Sequence, residues 1–269
     1  IPISVIGEDG GGITLVDYGK LLLNFFEGNN IDCSNIIRAK ERVTAAYLKF
    51  MATGEGTSTP AQQFYRADVG RAEKINSEIE DRIIDNLRKN KDKFDILVVS
   101  DYLKGVVTPR ILEDVSKYAP AKTVIGTTRE NALRLKNFSL IGLNAYETVS
   151  TYEDVKEDEA IPEEKIVKYG TKLLSDTNSK NLILTRGEKG MIVFSDGKVI
   201  EVHTKPKPIV DITGAGDTAL AAIVASLGAG ADIVTAAKIG NYAAGIVVQK
   251  PGTATTTQEE LIKEIENDN

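Results

Sequence analysis

The alternation of short apolar runs with helical patterns is the feature of this 269-residue chain that most restricts its fold. Residues 73–89 predict an amphipathic helix, because isoleucines and a leucine recur on one helical face. Residues 95–100 then indicate a buried strand. Further strands are predicted at 123–125, 139–143 and 181–184. Such alternation implies a parallel sheet covered by helices on both faces.

Two regions of the chain depart from this alternation, and each predicts a hairpin. Residues 43–52 and 62–68 are strand-like and flank a turn-rich connector at 53–60. They predict a lid hairpin, residues 43–68, that lies outside the main sheet. Residues 191–202 predict a second hairpin around the turn pair Asp196-Gly197.

Composition excludes some classes of function. The net charge of -6 and the pI of about 5.1 argue against a nucleic-acid partner. No apolar run approaches the roughly 20 residues that a membrane span needs. The single cysteine fits a reducing compartment, so a cytoplasmic location is expected. The only histidine, His203, leaves a Ser-His-Asp triad or a His-rich metal site with little support.

The most informative segment is 211–218, which is followed by an apolar run that predicts a buried helix. The amino end of that helix has free backbone N–H groups and a positive dipole end. Gly214 and Gly216 have no Cβ, so a phosphate could approach the backbone closely. Asp217 could then accept the proton of an attacking hydroxyl. The alternative is a plain glycine turn in which Asp217 stabilises the helix start.

Residues 211–217 resemble the C-terminal signature of the ribokinase-like (PfkB) carbohydrate kinases, with Ile212 at a variable position. The resemblance implies an α/β fold: a ribokinase-like three-layer sandwich with a mainly parallel central sheet and a small β lid. It also implies ATP-dependent phosphorylation of a sugar hydroxyl. In the family the turn matching Gly214, Ala215 and Gly216 forms an anion hole, and the residue matching Asp217 is the catalytic base.

Three further segments resemble family motifs in the same order along the chain: 144–147, 184–190 and 241–245. The resemblance implies that five residues contact the nucleotide, namely Asn144, Thr185, Gly187, Gly190 and Asn241. It also implies that Glu147 orders Mg²⁺ and the ATP phosphates. A carboxylate that reaches Mg²⁺ directly or through water is chemically reasonable.

Each of these residues also has a structural interpretation. Glu147 could lie on a helix surface, and Asn144 could cap that helix. Thr185 and Gly187 could serve turn chemistry alone. Asn241 could satisfy a loop carbonyl.

Acceptor residues are expected where strand 95–100 ends, because ligands of open α/β sheets bind beyond the carboxyl ends of strands. Asp101 and Lys104 follow that strand. The alternative is a polar loop with an internal ion pair. This segment is similar to one in the D-glycero-D-manno-heptose 7-phosphate kinases. Residues 62–68, which contain Arg66, resemble their second lid strand, and residues 250–255 resemble their closing loop near a monovalent-cation site.

Three departures weaken the heptose assignment. That subgroup has Lys and Arg in its first lid strand, where this chain has residues 44–48 without either. It has Asp-Pro-Lys where this chain has 126–128, Gly-Thr-Thr. The family's N-terminal sugar-binding segment should precede residue 1, so we expect the chain to begin inside a domain without its first strand and part of the lid.

The leading hypothesis is a single kinase domain, 1–269, that phosphorylates heptose 7-phosphate for ADP-heptose and lipopolysaccharide precursor synthesis. Its expected partners are ATP, a sugar substrate, a second copy of the chain bound through the lid, and a fused nucleotidyltransferase domain. One alternative is a kinase for another sugar, a fructose phosphate or a nucleoside. A second alternative is a non-catalytic nucleotide-binding module.

Overall fold

A computed structural model of the chain describes residues 1–8, 16–52, 62–70, 72–157 and 159–267. The chain divides into two compact units. The first contains residues 1–94 and 101–117, and the second contains residues 95–100 and 118–269. Within the described residues no helix combines the length and the apolar character that crossing a membrane requires.

The described residues of the first unit form two small sheets and three α-helices. Strands β1 (Ser4–Gly7) and β2 (Ile36–Ala39) pair in parallel and are connected through α1 (Tyr18–Gly28). Strands β3 (Ala46–Ala52) and β4 (Gln62–Val69) form a separate antiparallel sheet. Helices α2 (Ser77–Asn90) and α3 (Pro109–Ser116) complete the unit.

Strands β3 and β4 occupy most of the two segments for which a lid hairpin was predicted. Their register shifts between Phe50 and Met51. They pair with each other and stand outside the six-stranded sheet of the second unit. The connector at 53–60 lies outside the described residues. The role of this hairpin as a lid therefore stays a prediction.

Helix starts follow their capping residues. The side chain of Asn76 accepts a hydrogen bond from the Ile79 backbone N at 2.9 Å, so α2 begins at Ser77 and not at residue 73 as its periodicity suggested. The apolar face extends two residues beyond the start of the helix, because buried Ile75 precedes the cap residue Asn76. Thr108 caps α3 at the Ile111 N.

The second unit is built on one six-stranded sheet in the order β10-β9-β8-β7-β6-β5. Its strands are β5 (Ile96–Asp101), β6 (Thr123–Thr128), β7 (Leu140–Asn144), β8 (Asn181–Thr185), β9 (Met191–Ser195) and β10 (Lys198–Val202). The β6–β7 and β7–β8 pairs are parallel, and β8, β9 and β10 pair antiparallel. The β9–β10 turn has Asp196 and Gly197 at φ of 50° and 71°, which confirms the second predicted hairpin.

Helices cover both faces of this sheet. They are α4 (Ala145–Ser150), α5 (Glu163–Thr177), α6 (Ala215–Gly228), α7 (Ile233–Val247) and α8 (Gln258–Glu266). Ile183 of β8 packs in one apolar cluster with residues of α6 and α7. Gly170 of α5 lies against Phe194 of β9, where an added Cβ would come within 2.5 Å of the ring. The three-layer arrangement with a mainly parallel sheet confirms the predicted fold class.

Candidate active site

The predicted anion hole lies at the amino end of α6. Gly214 is the N-cap residue with φ of 81°, a conformation that favours glycine. Asp217 lies in the first turn of the helix. A Cβ added at Gly214 or Gly216 would meet no atom within 4 Å, so the space over this turn is open.

Gly216 has no packing reason to be glycine. Glycine inside a helix costs about 0.5–1 kcal/mol relative to alanine. Because none of the described residues crowds Gly216, its missing Cβ leaves the helix end open to an approaching group. Backbone N–H groups and the helix dipole make that end suited to an anion.

Asp211 fixes the turn that precedes α6. Its Oδ1 accepts hydrogen bonds from the backbone N of Thr213 at 2.9 Å and from the Thr213 hydroxyl at 2.6 Å. Its Oδ2 accepts from the Gly252 N at 3.1 Å, which ties the turn to the 250–255 loop. The sequence motif contained Asp211, but only the structure reveals this bridging role.

Asn144 and Glu147 form a capping box at the start of α4. The Glu147 N donates to Asn144 Oδ1 at 2.7 Å, and the Asn144 N donates to Glu147 Oε2 at 2.8 Å. Asn144 therefore does cap the helix. Glu147 is only 8% exposed, so it is not the surface residue that the structural alternative required.

The surroundings of Glu147 are electrostatically unusual. Burial, the largest cause, raises the pKa of its carboxyl group, while the Asn144 N–H and the Arg129 guanidinium oppose that rise. The negative charge of Asp217 also raises the pKa of Glu147. The two carboxylates that the sequence proposed for metal and base roles therefore interact electrostatically.

Arg129 is a neighbour of Glu147 that sequence reasoning missed. Its Nε lies 3.9 Å from Glu147 Oε1. It also lines a cavity of about 490 Å³, together with Tyr146 and residues 150–155. Arg129 stands just after the 126–128 stretch, and no motif pointed to it.

The turn after β8 places three predicted nucleotide residues together. Asn144 and Thr185 are direct register partners on neighbouring parallel strands. Gly187 and Gly190 have φ of 59° and 79°. A Cβ added at Gly190 would come within 2.1 Å of the Val202 carbonyl oxygen, so this position requires glycine for packing as well as for its backbone conformation.

Asn241 fulfils the structural role that was set against its nucleotide role. It is buried on α7, and its Nδ2 donates to the carbonyl oxygens of Val202 at 3.1 Å and His203 at 3.5 Å. This amide therefore holds the end of β10 beside Gly190. A contact between Asn241 and nucleotide stays a prediction.

The three predicted acceptor residues lie in the first unit. Asp101 is buried, and its Oδ1 accepts from the Leu103 N at 2.9 Å. The Lys104 Nζ lies 4.8 Å from the centroid of the Tyr47 ring, and the Arg66 Cζ lies 4.4 Å from the same centroid. Both predicted cations therefore lie close to the Tyr47 ring, a contact that the sequence did not reveal.

Further contacts fix the Arg66 side chain and the backbone of Lys104. Arg66 makes a two-pronged ion pair with Asp68, at 2.5 and 2.9 Å. Arg42 donates to the carbonyl oxygens of Glu73 at 2.7 Å and Lys104 at 2.6 Å, so it anchors the loop that bears Lys104. Arg42 was not among the residues suggested by sequence.

A three-layer α/β sheet with an open helix end suited to phosphate is the ribokinase-like fold. Solved structures agree on the fold. Phosphofructokinase-2 from Escherichia coli in complex with potassium aligns with a TM-score of 0.75 at 16% identity, covering 98% of this chain and 81% of that one. Ribokinase from Thermotoga maritima aligns with a TM-score of 0.71 at 22% identity, covering 98% and 80%.

The chain belongs to the pfkB family of carbohydrate kinases, whose family model matches residues 16–260. This membership confirms the class that the motifs indicated, and it implies ATP and a sugar as substrates. Curated relatives include the "Bifunctional protein HldE" of Geobacter sulfurreducens, 30% identical over 263 residues, and that of Geobacter metallireducens, 31% identical over 263 residues. Each alignment covers 96% of this chain and 50% of the relative, so the chain spans about half the length of these relatives.

Proposed function

We propose that this carbohydrate kinase transfers the γ-phosphoryl group of ATP to a hydroxyl of heptose 7-phosphate, in the synthesis of ADP-heptose for lipopolysaccharide precursors. The observation that carries the phosphotransfer step is the open amino end of α6, where Asp217 interacts electrostatically with buried Glu147. The heptose assignment rests on the similarity to the HldE proteins and on the cations near Tyr47.

Asp217 acts as the general base in this proposal. It takes the proton of the acceptor hydroxyl as that oxygen attacks the γ-phosphorus. The bond between the γ-phosphorus and the β–γ bridging oxygen breaks, and ADP leaves with that oxygen. The backbone N–H groups of Gly214 and Gly216 would bind the phosphoryl oxygens and stabilise the negative charge on them. The Ala215 N–H donates to the Ile212 carbonyl oxygen at 3.2 Å, so it would have to exchange that hydrogen bond for one to the phosphate.

Glu147 is proposed to hold a magnesium ion, with Arg129 shifting aside when the ion binds. Its Oε2 is used in the capping box, whereas Oε1 faces the cationic Arg129. Carboxylate oxygens suit Mg²⁺, which retains several waters and takes its other ligands from phosphates. Glu147 would hold the ion directly or through water, and the bound ion would neutralise phosphate charge.

Four backbone and side-chain groups around the β8–β9 turn are proposed as nucleotide contacts: those of Asn144, Thr185, Gly187 and Gly190. They follow the carboxyl ends of β7 and β8, the edge at which ligands of such sheets bind. Asn241 would contribute from α7, in addition to its hydrogen bonds with β10.

Acceptor binding is assigned to Asp101, Lys104 and Arg66. Arg66 and Lys104 supply the fixed positive charge that a sugar phosphate requires. Asp101, close in sequence to Lys104, would accept hydrogen bonds from sugar hydroxyls. A preference for another sugar, a fructose phosphate or a nucleoside is the alternative that an acceptor panel would reveal.

Two partners and one further ion belong to the proposal. The β3–β4 sheet would join two copies of the chain into a homodimer. A nucleotidyltransferase domain would be fused to the kinase domain in the whole protein. A monovalent cation would bind beside the 250–255 loop, which Asp211 ties to the turn before α6.

Replacement of Asp217 by Asn tests the catalytic assignment. The amide keeps the shape of the side chain but not the base, so kcat should fall by about 10²–10⁴. The dissociation constant for ATP, measured by calorimetry on the same preparation, should change little. Near-normal kcat in Asp217→Asn would refute the catalytic role.

Asp232→Asn provides the matched control. Asp232 caps α7, where its Oδ1 accepts from the Val234 N at 2.9 Å and the Thr235 N at 3.0 Å. It therefore reports what loss of an acidic residue at a helix start does to stability alone. If both variants only lowered the melting temperature, Asp217 would be a helix stabiliser. If the unaltered chain bound ATP without turnover, it would be a non-catalytic module.

A further inference from the structure

Arg186 is a buried cation immediately after β8. Its side chain is 6% exposed, although the turn that follows it reaches the surface. Its Nη2 lies 2.9 Å from Glu201 Oε2 on β10, and its Nη1 lies 3.4 Å from Glu163 Oε2 on α5. One guanidinium therefore links β10 to α5 from its position just after β8.

Arg186 also contacts the turn itself. Its Nη2 donates to the Lys189 carbonyl oxygen at 3.3 Å, and its backbone N donates to the Gly190 carbonyl oxygen at 2.8 Å. These contacts fix both ends of the 3₁₀ turn Gly187–Lys189. Gly187 in this turn and Gly190, which caps it, are the glycines proposed as nucleotide contacts.

The arrangement is a poor device for stability. Within the described part of the chain, the buried Nε of Arg186 has no hydrogen-bond partner, and a buried donor without a partner costs free energy. Glu163 and Glu201 are both substantially exposed, so the charge pairs are screened by solvent. A well-packed apolar side chain often stabilises a protein as well as a buried ion pair does. The contribution of Arg186 is therefore geometric.

The geometry has a second support on the opposite side of the turn. Gly190 packs against the Val202 carbonyl oxygen, and Asn241 donates to that same oxygen. Glu201, the residue before Val202, accepts a hydrogen bond from Arg186 Nη2. The end of β10 thus contacts the turn at two points. Val202 packs against Gly190, and Glu201 binds Arg186.

We propose that Arg186 is a positioning residue for the nucleotide: it holds the Gly187–Gly190 turn in the conformation that binds ATP without touching ATP itself. This inference rests on the proposed nucleotide role of Thr185, Gly187 and Gly190. The contribution lies in binding, so Arg186 affects the affinity for nucleotide and leaves the chemical step at saturating ATP unchanged.

The test compares Arg186→Met and Arg186→Lys with the unaltered chain. Calorimetry with ADP measures affinity, and steady-state assays give KM for ATP, KM for the acceptor and kcat. Arg186→Met should weaken ADP binding and raise the KM for ATP by about tenfold, since small displacements of binding groups have effects of at least this size. The acceptor KM and kcat should stay within about twofold. Lysine should not rescue, because Nη1 pairs with Glu163 while Nη2 contacts Glu201 and the Lys189 carbonyl oxygen, and one ammonium cannot reproduce both branches of this fork.

Two further variants keep the test decisive. Lys165 lies on α5, as Glu163 does, and its Nζ is 2.7 Å from Glu153 Oε2. Lys165→Met, the matched control, breaks this ion pair and should leave ADP binding unchanged. Glu201→Gln removes the negative charge of one exposed partner of Arg186 and leaves an oxygen that can still accept a hydrogen bond. It should weaken ADP binding about threefold even if Arg186→Met does not fold.

The outcomes separate the inference from the proposed function. If the unaltered chain binds ADP and the Arg186 and Glu201 variants bind it equally well, the positioning role is wrong while the kinase assignment stands. A loss of ADP binding shared by Lys165→Met would equally overturn it, since general destabilisation would then explain the effect. If the unaltered chain does not bind ADP, the proposed nucleotide site falls, and this inference falls with it.

Discussion

Glu147 combines a structural role with a proposed functional one. One carboxylate oxygen closes the capping box with Asn144, while the other faces Arg129. Glutamine keeps an oxygen for the cap but has no charge to attract a metal ion. A Glu147→Gln variant can therefore separate the two roles.

Glu147→Gln should raise the Mg²⁺ concentration required for half-maximal activity and lower kcat by about tenfold or more, because the carboxylate would no longer help to hold the ion. Titration of activity with Mg²⁺ at saturating ATP measures both effects. Glu260→Gln is the control, since Glu260 forms the equivalent capping box with Thr257 on α8. An unchanged Mg²⁺ requirement in Glu147→Gln would return Glu147 to a capping role alone.

The same variant has a predicted signature in the pH dependence of stability. Burial raises the pKa of Glu147 in the folded chain, so the protonated form is favoured there. The resulting stabilisation is complete below the unfolded-state pKa and is lost as the pH rises through the folded-state pKa. Glu147→Gln should therefore gain unfolding free energy relative to the unaltered chain over that window. Denaturant unfolding at several pH values measures this difference, and a constant difference would contradict it.

Tyr47 is predicted to organise the acceptor cations. Tyr47→Ala should raise the KM for a phosphorylated acceptor about fivefold, because contacts of Arg66 and Lys104 with the ring are each worth about 0.5–1 kcal/mol at an exposed site. Tyr47→Phe keeps the ring and should behave like the unaltered chain. The KM for ATP should not change in either variant. An acceptor KM that is the same for alanine and phenylalanine would remove Tyr47 from the site.

At this scale the sequence predicted residues whose role follows from a local motif. The glycine turn before α6, the Asn144 cap and the turn glycines 187 and 190 all lie where local pattern placed them. The roles of Arg129, Arg186 and Tyr47 were not predicted, because their contacts join residues that are distant in sequence. Only the folded chain brings Arg186 to Glu201 or Tyr47 to Lys104.

Among the elements, the β3–β4 sheet is the one with the most exposed aromatic surface. Phe64 is 70% exposed, and Phe50 and Tyr65 are also exposed. Within the described residues β3 and β4 pair only with each other, so each leaves one edge available. Such edges and apolar surfaces favour pairing with another chain.

The chain is therefore expected to dimerise through this sheet. Phe64→Glu should place charge in the interface and shift the protein toward monomer, as measured by sedimentation across a range of concentrations. Phe25→Glu is the control, because Phe25 is similarly exposed but lies on α1. If Phe64→Glu left the dimer intact, or if the unaltered chain were monomeric, the dimer through the lid would be wrong.

Element types followed from the sequence more reliably than their ends. Period and turn chemistry predicted the parallel strands and the Asp196-Gly197 hairpin, since both signals are local. The start of α2 was misplaced because apolar periodicity continues past a helix that Asn76 caps. The lid role could not be derived, because it depends on what the β3–β4 sheet contacts.

For the whole molecule, the net charge of -6 opposes a phosphorylated acceptor. In the proposed site the attraction comes from the local cations Lys104 and Arg66, once Arg66 exchanges its ion pair with Asp68 for the phosphate. At about 0.1 M salt the Debye length is about 10 Å, so distant acidic groups are already screened. A further increase in salt therefore acts mainly on charges close to the bound acceptor.

The KM for a phosphorylated acceptor should rise about threefold or more between roughly 0.1 and 0.5 M salt, as screening weakens the pull of Arg66 and Lys104. Tetramethylammonium chloride, with potassium held constant, keeps a monovalent-cation effect out of the measurement. The matched sugar without a phosphate should show an unchanged KM under the same saturating ATP, because it has no charge to screen. If the two acceptors responded alike, the acceptor phosphate would make no charged contact, and the assignment to heptose 7-phosphate would lose its physical basis.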